Sequence, residues 1–311
     1  SGNVVADPYP QTTVSGKKVL LAPVCPTCRI WSDIVEAISD EINRTLPVDG
    51  IYFDEVAAHA SQLCFNENHD HPSGGGSYWV EGYRAIMKRA NMRKGDKYYF
   101  TECNAEPYVD SFDGFLTWMW VQNEQVPAFS AVYSGYVQLI GRCTIGRKKE
   151  DYEFFKFSVA ECLHYGQVMG WCKADIVYDE RRMRFLKPQV KLRHKYSALF
   201  NAGKMLLPPL IKGSVKDKKT TAALWFKDDV TMPQAAASAW QTADKTKTVI
   251  FLTNIPEEEN AAEVRFSLKE TFIDPSSLNA EVFVNGDECV LKTSLAPLEC
   301  RALEFDCVKP D

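Results

Sequence analysis

Two short runs, GIYFDE at residues 50–55 and KYYFTE at residues 97–102, decide how this chain is read. Each joins a compact apolar and aromatic block to an acid at its end, the pattern of a strand buried in a parallel sheet. Between them, residues from about Ser77 place Trp79, Tyr83, Ile86, Met87 and Ala90 on one helical face. Strand, helix and strand in that order make a βαβ unit, and in such units substrate is met at the carboxyl ends of the strands. Asp54 and Glu102 both stand there.

The same alternation extends from Lys17 to about Pro208. KKVLLAPV (17–24) reads as a buried strand. Ile30, Ile34, Ile38 and Ile42, with Trp31 and Val35, form a helical stripe expected to face the sheet. FDGFLTW (112–118), VPAFSAVY (126–133) and GYVQLIG (135–141) read as further strands, FFKFSVAECLHYGQVMGW (154–171) as an apolar helix or helix and strand, and Asp179 to Phe200 as a charged helix bent at Pro188. After LLPPLIKG (206–213) the period changes to two. AEVRFSLK (262–269) alternates apolar and polar residues, Asn285-Gly286 marks a hairpin turn, and ECRALEFD (299–306) closes the chain with the same alternation. The expected fold is therefore α/β: a (β/α)-barrel over residues 1–212, then an all-β antiparallel sandwich over residues 213–311. A complete barrel takes about 250 residues. With only five or six strand runs ahead of the sandwich, fewer than eight units are expected, the first being absent, with a second chain or a removed segment to complete the barrel.

The 311 residues carry a net charge of -5 and a pI near 5.7, which leaves no basic face for a polyphosphate and excludes nucleic acid as the main partner. No apolar run approaches the roughly 18–20 residues that span a bilayer. The ten cysteines are scattered rather than dense. Cys25 and Cys28 form a C-x-x-C before a helix, open to reading as a redox pair, half a zinc site or two structural thiols. The loop AAHASQLCFNENHDHPSGGG (57–76) holds His59, Cys64, His69 and His71, and so three of the chain's five histidines. These side chains can contact sugar hydroxyls, satisfy loop backbone groups, or hold a metal. Their spacing fits no familiar zinc template, so neither metal nor cofactor is assigned.

Glycoside hydrolysis needs two carboxyl groups, one at the anomeric carbon and one protonating the leaving oxygen. Asp54 and Glu102 are the leading pair, although strand-end acids also cap helices or pair with Lys and Arg. His59, His69, His71, Glu106 and Asp113 are the candidate polar contacts to substrate. Trp118 and Trp120 offer flat apolar faces for sugar rings.

The runs VDGIYFDEVAAHASQLCFNENHDHPSGGGSYWVEGYRAIMKRA (48–90) and YYFTECNAEPYVDSFDGFLTWMW (98–120) resemble the barrel of the glycoside-hydrolase-like family DUF6259 and, more distantly, endo-α-N-acetylgalactosaminidases. That resemblance implies a retaining glycosidase with Asp54 as nucleophile and Glu102 as acid/base, acting on an oligosaccharide or glycoconjugate with an α-linked galactose or N-acetylgalactosamine. It also favours a secreted or periplasmic protein. Cys103 stands where such sequences are expected to carry a small residue such as Gly. Two other readings compete: a non-catalytic carbohydrate-binding fragment of a larger glycosidase, and a metal-dependent hydrolase using the His/Cys loop.

Overall fold

The structure, a computed structural model, describes residues 4–117, 126–142, 152–223 and 227–308. The chain divides into two compact units, Ser1–Gly114 and Phe115–Asp311.

The first unit opens with β1 (Asp7–Thr12) and β2 (Lys18–Leu21), paired antiparallel as a two-stranded ladder. Leu20 is 63% exposed and Leu21 47%. KKVLLAPV is thus not the buried strand its composition suggests, because an isolated ladder lacks a second layer over its face. Helix α1 (Arg29–Thr45) likewise departs from expectation. Ile30, Ile34 and Ile38 are exposed, while Ser39 is buried and Arg89 of the next helix reaches Ser32, Asp33 and Glu36. Trp31, Val35 and Ile42 are half-buried, so the packed side of α1 is offset from the exposed isoleucines and runs through Ser39 and the polar groups held by this guanidinium. Strand β3 (Gly50–Phe53), helix α2 (Tyr78–Asn91) and strand β4 (Tyr98–Glu102) form the anticipated βαβ unit, with Tyr78, Trp79, Gly82, Ile86, Met87 and Ala90 buried along α2. A Cβ on Gly82 would come within 2.9 Å of Pro26, so glycine at this position lets the helix touch the loop after β2.

The second unit continues with β5 (Gly114–Leu116), α3 (Ala128–Tyr133), β6 (Gln138–Arg142), α4 (Tyr152–His164) and β7 (Val168–Gly170). VPAFSAVY is helical rather than extended. Phe129 and Tyr133, one turn apart, meet at 4.7 Å, and Phe129 also meets Phe115 at 5.7 Å, a contact set that favours the helical period. In the first unit β3 and β4 pair in parallel, and in the second unit β6 and β7 pair in parallel.

Helices α5 (Glu180–Lys195), which contains Pro188, and α6 (Ser197–Ala202) precede β8 (Lys204–Met205), β9 (Leu210–Gly213), β10 (Lys218–Ala223), β11 (Lys227–Met232), β12 (Ala235–Gln241), β13 (Lys247–Asn254), β14 (Asn260–Ser267), α7 (Leu268–Thr271), β15 (Val282–Asn285), β16 (Glu288–Leu295) and β17 (Cys300–Asp306). All pairing from β8 onward is antiparallel, in sheets ordered β17-β13-β12-β8, β15-β16-β14-β9 and β10-β11. Ala239, Ile250 and Leu252 from the first sheet share a core with Val264, Phe266 and Leu291 from the second. The opposite face of the first sheet presents Trp240, Val249 and Phe251 to Leu163, Leu199 and Phe200 of the helices. Covered on both faces, β13 is buried at every position after Lys247. Gly286, at φ +63°, turns the tight hairpin between β15 and β16. The molecule is thus α/β with a β-rich part.

Candidate active site

The parallel register of β3 and β4 positions the carboxylates. Tyr52 lies opposite Phe100 and Phe53 opposite Thr101, and one further step along the ladder sets Asp54 level with Glu102. Side chains alternate faces along a strand, so Tyr52, Asp54, Phe100 and Glu102 share one face. The other face is structural. There Tyr99 and Thr101 are fully buried, Tyr99 Oη lies 2.6 Å from Asn43 Nδ2 of α1, and Phe53 meets Tyr99 edge to face at 5.0 Å.

Glu55 joins the pair. In an extended chain it would turn away from Asp54, but its left-handed backbone, φ +64°, breaks the alternation. An oxygen of each of Asp54, Glu55 and Glu102 lies within 4.8 Å of the others, Glu102 being buried and the other two exposed. Cys103, directly after Glu102, is also left-handed at φ +62°. Strained non-glycine backbone of this kind concentrates at functional sites. Burial, reinforced by Glu102 and Asp54, pushes the Tyr52 phenol well above its ordinary pKa, so it remains a neutral O–H. Tyr83 is pushed up to about 12 by burial and by Glu55. Convergent oxygens of this type suit either proton and nucleophile chemistry or a hard cation.

The other candidates divide. His59 donates its backbone N–H to Glu55 O, its Nδ1 lies 2.7 Å from Ala60 O, and its ring stacks on Trp79 at 5.9 Å. His69 and His71 belong to a second cluster, with Cys25 and Cys64, whose ligand atoms all lie within 4.8 Å of one another. Burial and the neighbouring Cys64 push the Cys25 thiol up, against the lowering effect of its contacts with Thr27. Glu106 is exposed at the start of a 3₁₀ turn, Glu106–Tyr108. Asp113 is not brought to the carboxylates. It accepts from Lys94 Nζ at 2.7 Å and from the Tyr99 backbone N–H at 2.7 Å, at the start of β4 and three residues, about 10 Å, upstream of Glu102. Asp110 pairs with Arg84. Trp118 and Trp120 lie outside the described residues. Within the second unit, exposed Trp171 follows the carboxyl end of β7, again with left-handed backbone, φ +50°. A cavity of about 460 Å³ lined by Leu207, Arg265 and Asp287 in the antiparallel part contains none of the candidate residues.

Sequence reasoning missed Glu55 and did not join Cys25 to the histidine loop. The adjacent acids of F-D-E were visible, but the left-handed turn that makes them converge was not.

Acids at the carboxyl ends of parallel strands stand where βα enzymes meet their substrate. Residues 6–144 match the model of the family described as "Domain of unknown function (DUF6259)". A Bacteroides thetaiotaomicron protein named "Putative glycoside hydrolase" is 30% identical over 215 residues, 65% of this chain and 31% of that protein. A Monosiga brevicollis protein whose name begins with the same words is 33% identical over 153 residues, 47% of this chain and 13% of that protein. The chain therefore spans less than a third of either relative. The crystal structure of an alpha-amylase from H. orenii superposes with a TM-score of 0.51 at 10% identity, covering 98% of this chain and 73% of that one, a likeness of fold alone. No helix among the described residues is long and apolar enough to cross a membrane.

Proposed function

We propose that this chain carries the catalytic carboxylates of a retaining glycosidase, within a (β/α)-barrel part over residues 1–212 followed by a sandwich over residues 213–311. The observation that carries the reading is the convergence of Asp54 and Glu102 at the carboxyl ends of paired strands, with oxygens within 4.8 Å. Retaining enzymes hold their carboxyls about 5–5.5 Å apart and inverting enzymes about 6.5–9.5 Å, to admit a water. An upper limit of 4.8 Å between the converging oxygens of Asp54 and Glu102 lies nearer the retaining than the inverting separation, which supports direct attack. Asp54, the more exposed, attacks the anomeric carbon, and its new C–O bond replaces the bond to the leaving oxygen. Glu102 protonates that oxygen, then takes a proton from the water that releases the sugar from Asp54. Neutral Tyr52 presents a hydroxyl on the same face for the nucleophile or a sugar oxygen. The substrate class is an oligosaccharide or glycoconjugate bearing an α-linked galactose or N-acetylgalactosamine, with His59 and Glu106 as contacts.

Leaving-group dependence tests the division of labour. Glu102→Ala is expected to lose most activity on alkyl glycosides, which need protonation, and much less on dinitrophenyl glycosides, which do not. Equal loss on both contradicts the acid role. A second reading is a carbohydrate-binding part of a larger glycosidase. It predicts sugar binding by calorimetry with no turnover.

A further inference from the structure

The second cluster in the first unit has a different chemistry. Cys25 comes from the loop after β2, while Cys64, His69 and His71 come from the long loop between β3 and α2. Two features bring them together. A backbone bridge between Cys64 and Gly74 closes the loop on itself, and Gly82 lets α2 lie against Pro26, next to Cys25. The Cys25 sulfur lies 3.4 Å from His71 Nε2, and the Cys64 sulfur 3.2 Å from His69 Nδ1. Four ligands around a tetrahedral zinc, with Zn–S about 2.3 Å and Zn–N about 2.0–2.1 Å, are separated by about 3.6 Å from S to N, about 3.8 Å from S to S and about 3.3 Å from N to N. The observed group needs shifts of only a few tenths of an ångström in these two pairs. His71 is already oriented. Its Nδ1 lies 2.7 Å from Pro72 O and its ring stacks on Tyr78 at 4.0 Å, which fixes Nδ1 as donor and leaves the Nε2 lone pair for the cluster. Cys25 is buried and the other three are half-buried, as suits a site closed to bulk water.

We propose that Cys25, Cys64, His69 and His71 bind one zinc ion with tetrahedral geometry. Binding releases the two thiol protons to solvent and leaves two thiolates and two neutral imidazoles on the metal. Four protein ligands fill the shell. The site has no open position for a catalytic water, so its role is to fasten the loop that follows Asp54 rather than to hydrolyse substrate. Cys28, which the C-x-x-C spacing pairs with Cys25, is not among the ligands.

The test is elemental analysis of the full chain after dialysis against zinc chloride and removal of free metal. One zinc per chain is expected, retained in Cys28→Ser and lost in Cys64→Ser and His71→Ala. Because a ligand variant can simply fail to fold, stripped wild-type protein is also loaded with cobalt(II). The intense visible bands of tetrahedral cobalt and a thiolate-to-cobalt charge-transfer band are expected, together with protection of Cys25 and Cys64 from alkylation. Zinc well below one equivalent, a weak octahedral cobalt spectrum, loss of zinc in Cys28→Ser, or a Cys25–Cys64 disulfide in a non-reducing peptide map would each overturn the proposal.

Discussion

Left-handed backbone at Glu55 and Cys103 is the residue-scale feature that ties strain to the carboxylates. A non-glycine residue in that region costs about 1–2 kcal/mol, part of which glycine forfeits through its greater freedom in the unfolded chain. Cys103→Gly is therefore expected to stabilise the protein by roughly 0.5–1 kcal/mol in urea denaturation, at unchanged turnover. Destabilisation would show that the thiol itself supports the site. Glu55→Gln bears on a neighbouring question, since Glu55 reaches the carboxylates only through its turn, whereas Asp54 stands in ladder register with Glu102. Its kcat on aryl glycosides should fall far less than that of Asp54→Ala. The opposite ranking would move the nucleophile to Glu55.

Among the elements, helix α2 and helix α1 show what hydrophobic periodicity can and cannot say. Both stripes were legible, yet that of α2 is covered while in α1 Trp31, Val35 and Ile42 are half-buried and Ile30, Ile34 and Ile38 exposed. Periodicity identifies an apolar face but not its partner, and the Arg89 contacts with Ser32 and Glu36 of α1 carry no periodic signal. Met87→Ala should cost about 2–5 kcal/mol, because Met87 is fully buried, whereas Ile34→Ser should stay within about 0.5 kcal/mol, Ile34 being 44% exposed. Paired chemical denaturation curves decide this. Helix α4 adds a pH dependence. His164 lies between Ser238 Oγ at 2.9 Å and Thr253 Oγ1 at 3.0 Å, fully buried, and burial holds its pKa at about 3 against an ordinary 6.5. Between these values the unfolded chain binds the proton and the folded chain does not, so this group's contribution to stability is present above pH 6.5 and lost as the pH falls toward 3. His164→Gln should flatten that limb of the stability profile. An unchanged slope would assign it to other groups.

At the scale of the whole molecule, strand-end acids and the change of period near residue 206 made the α/β character and the β-rich part legible, because both rest on local patterns. The short helix at Ala128–Tyr133 and the isolated ladder of β1 and β2 were not, since contacts distant in sequence decide them. The candidate site was half legible for the same reason. Asp54 and Glu102 follow from strand ends, while the placing of Asp113 against Lys94 and Tyr99, and the meeting of Cys25 with Cys64, His69 and His71, depend on the folded chain. The central claim is that Asp54 and Glu102 form a working catalytic pair. Its most direct test is hydrolysis of a panel of aryl α- and β-glycosides by the wild-type chain and by Asp54→Ala, with circular dichroism to show that both are folded. The account predicts turnover of at least one α-glycoside by the wild type and a loss of about 10³-fold or more in the variant. Turnover in Asp54→Ala equal to that of the wild type, or none by the wild type on any member of the panel, would contradict it.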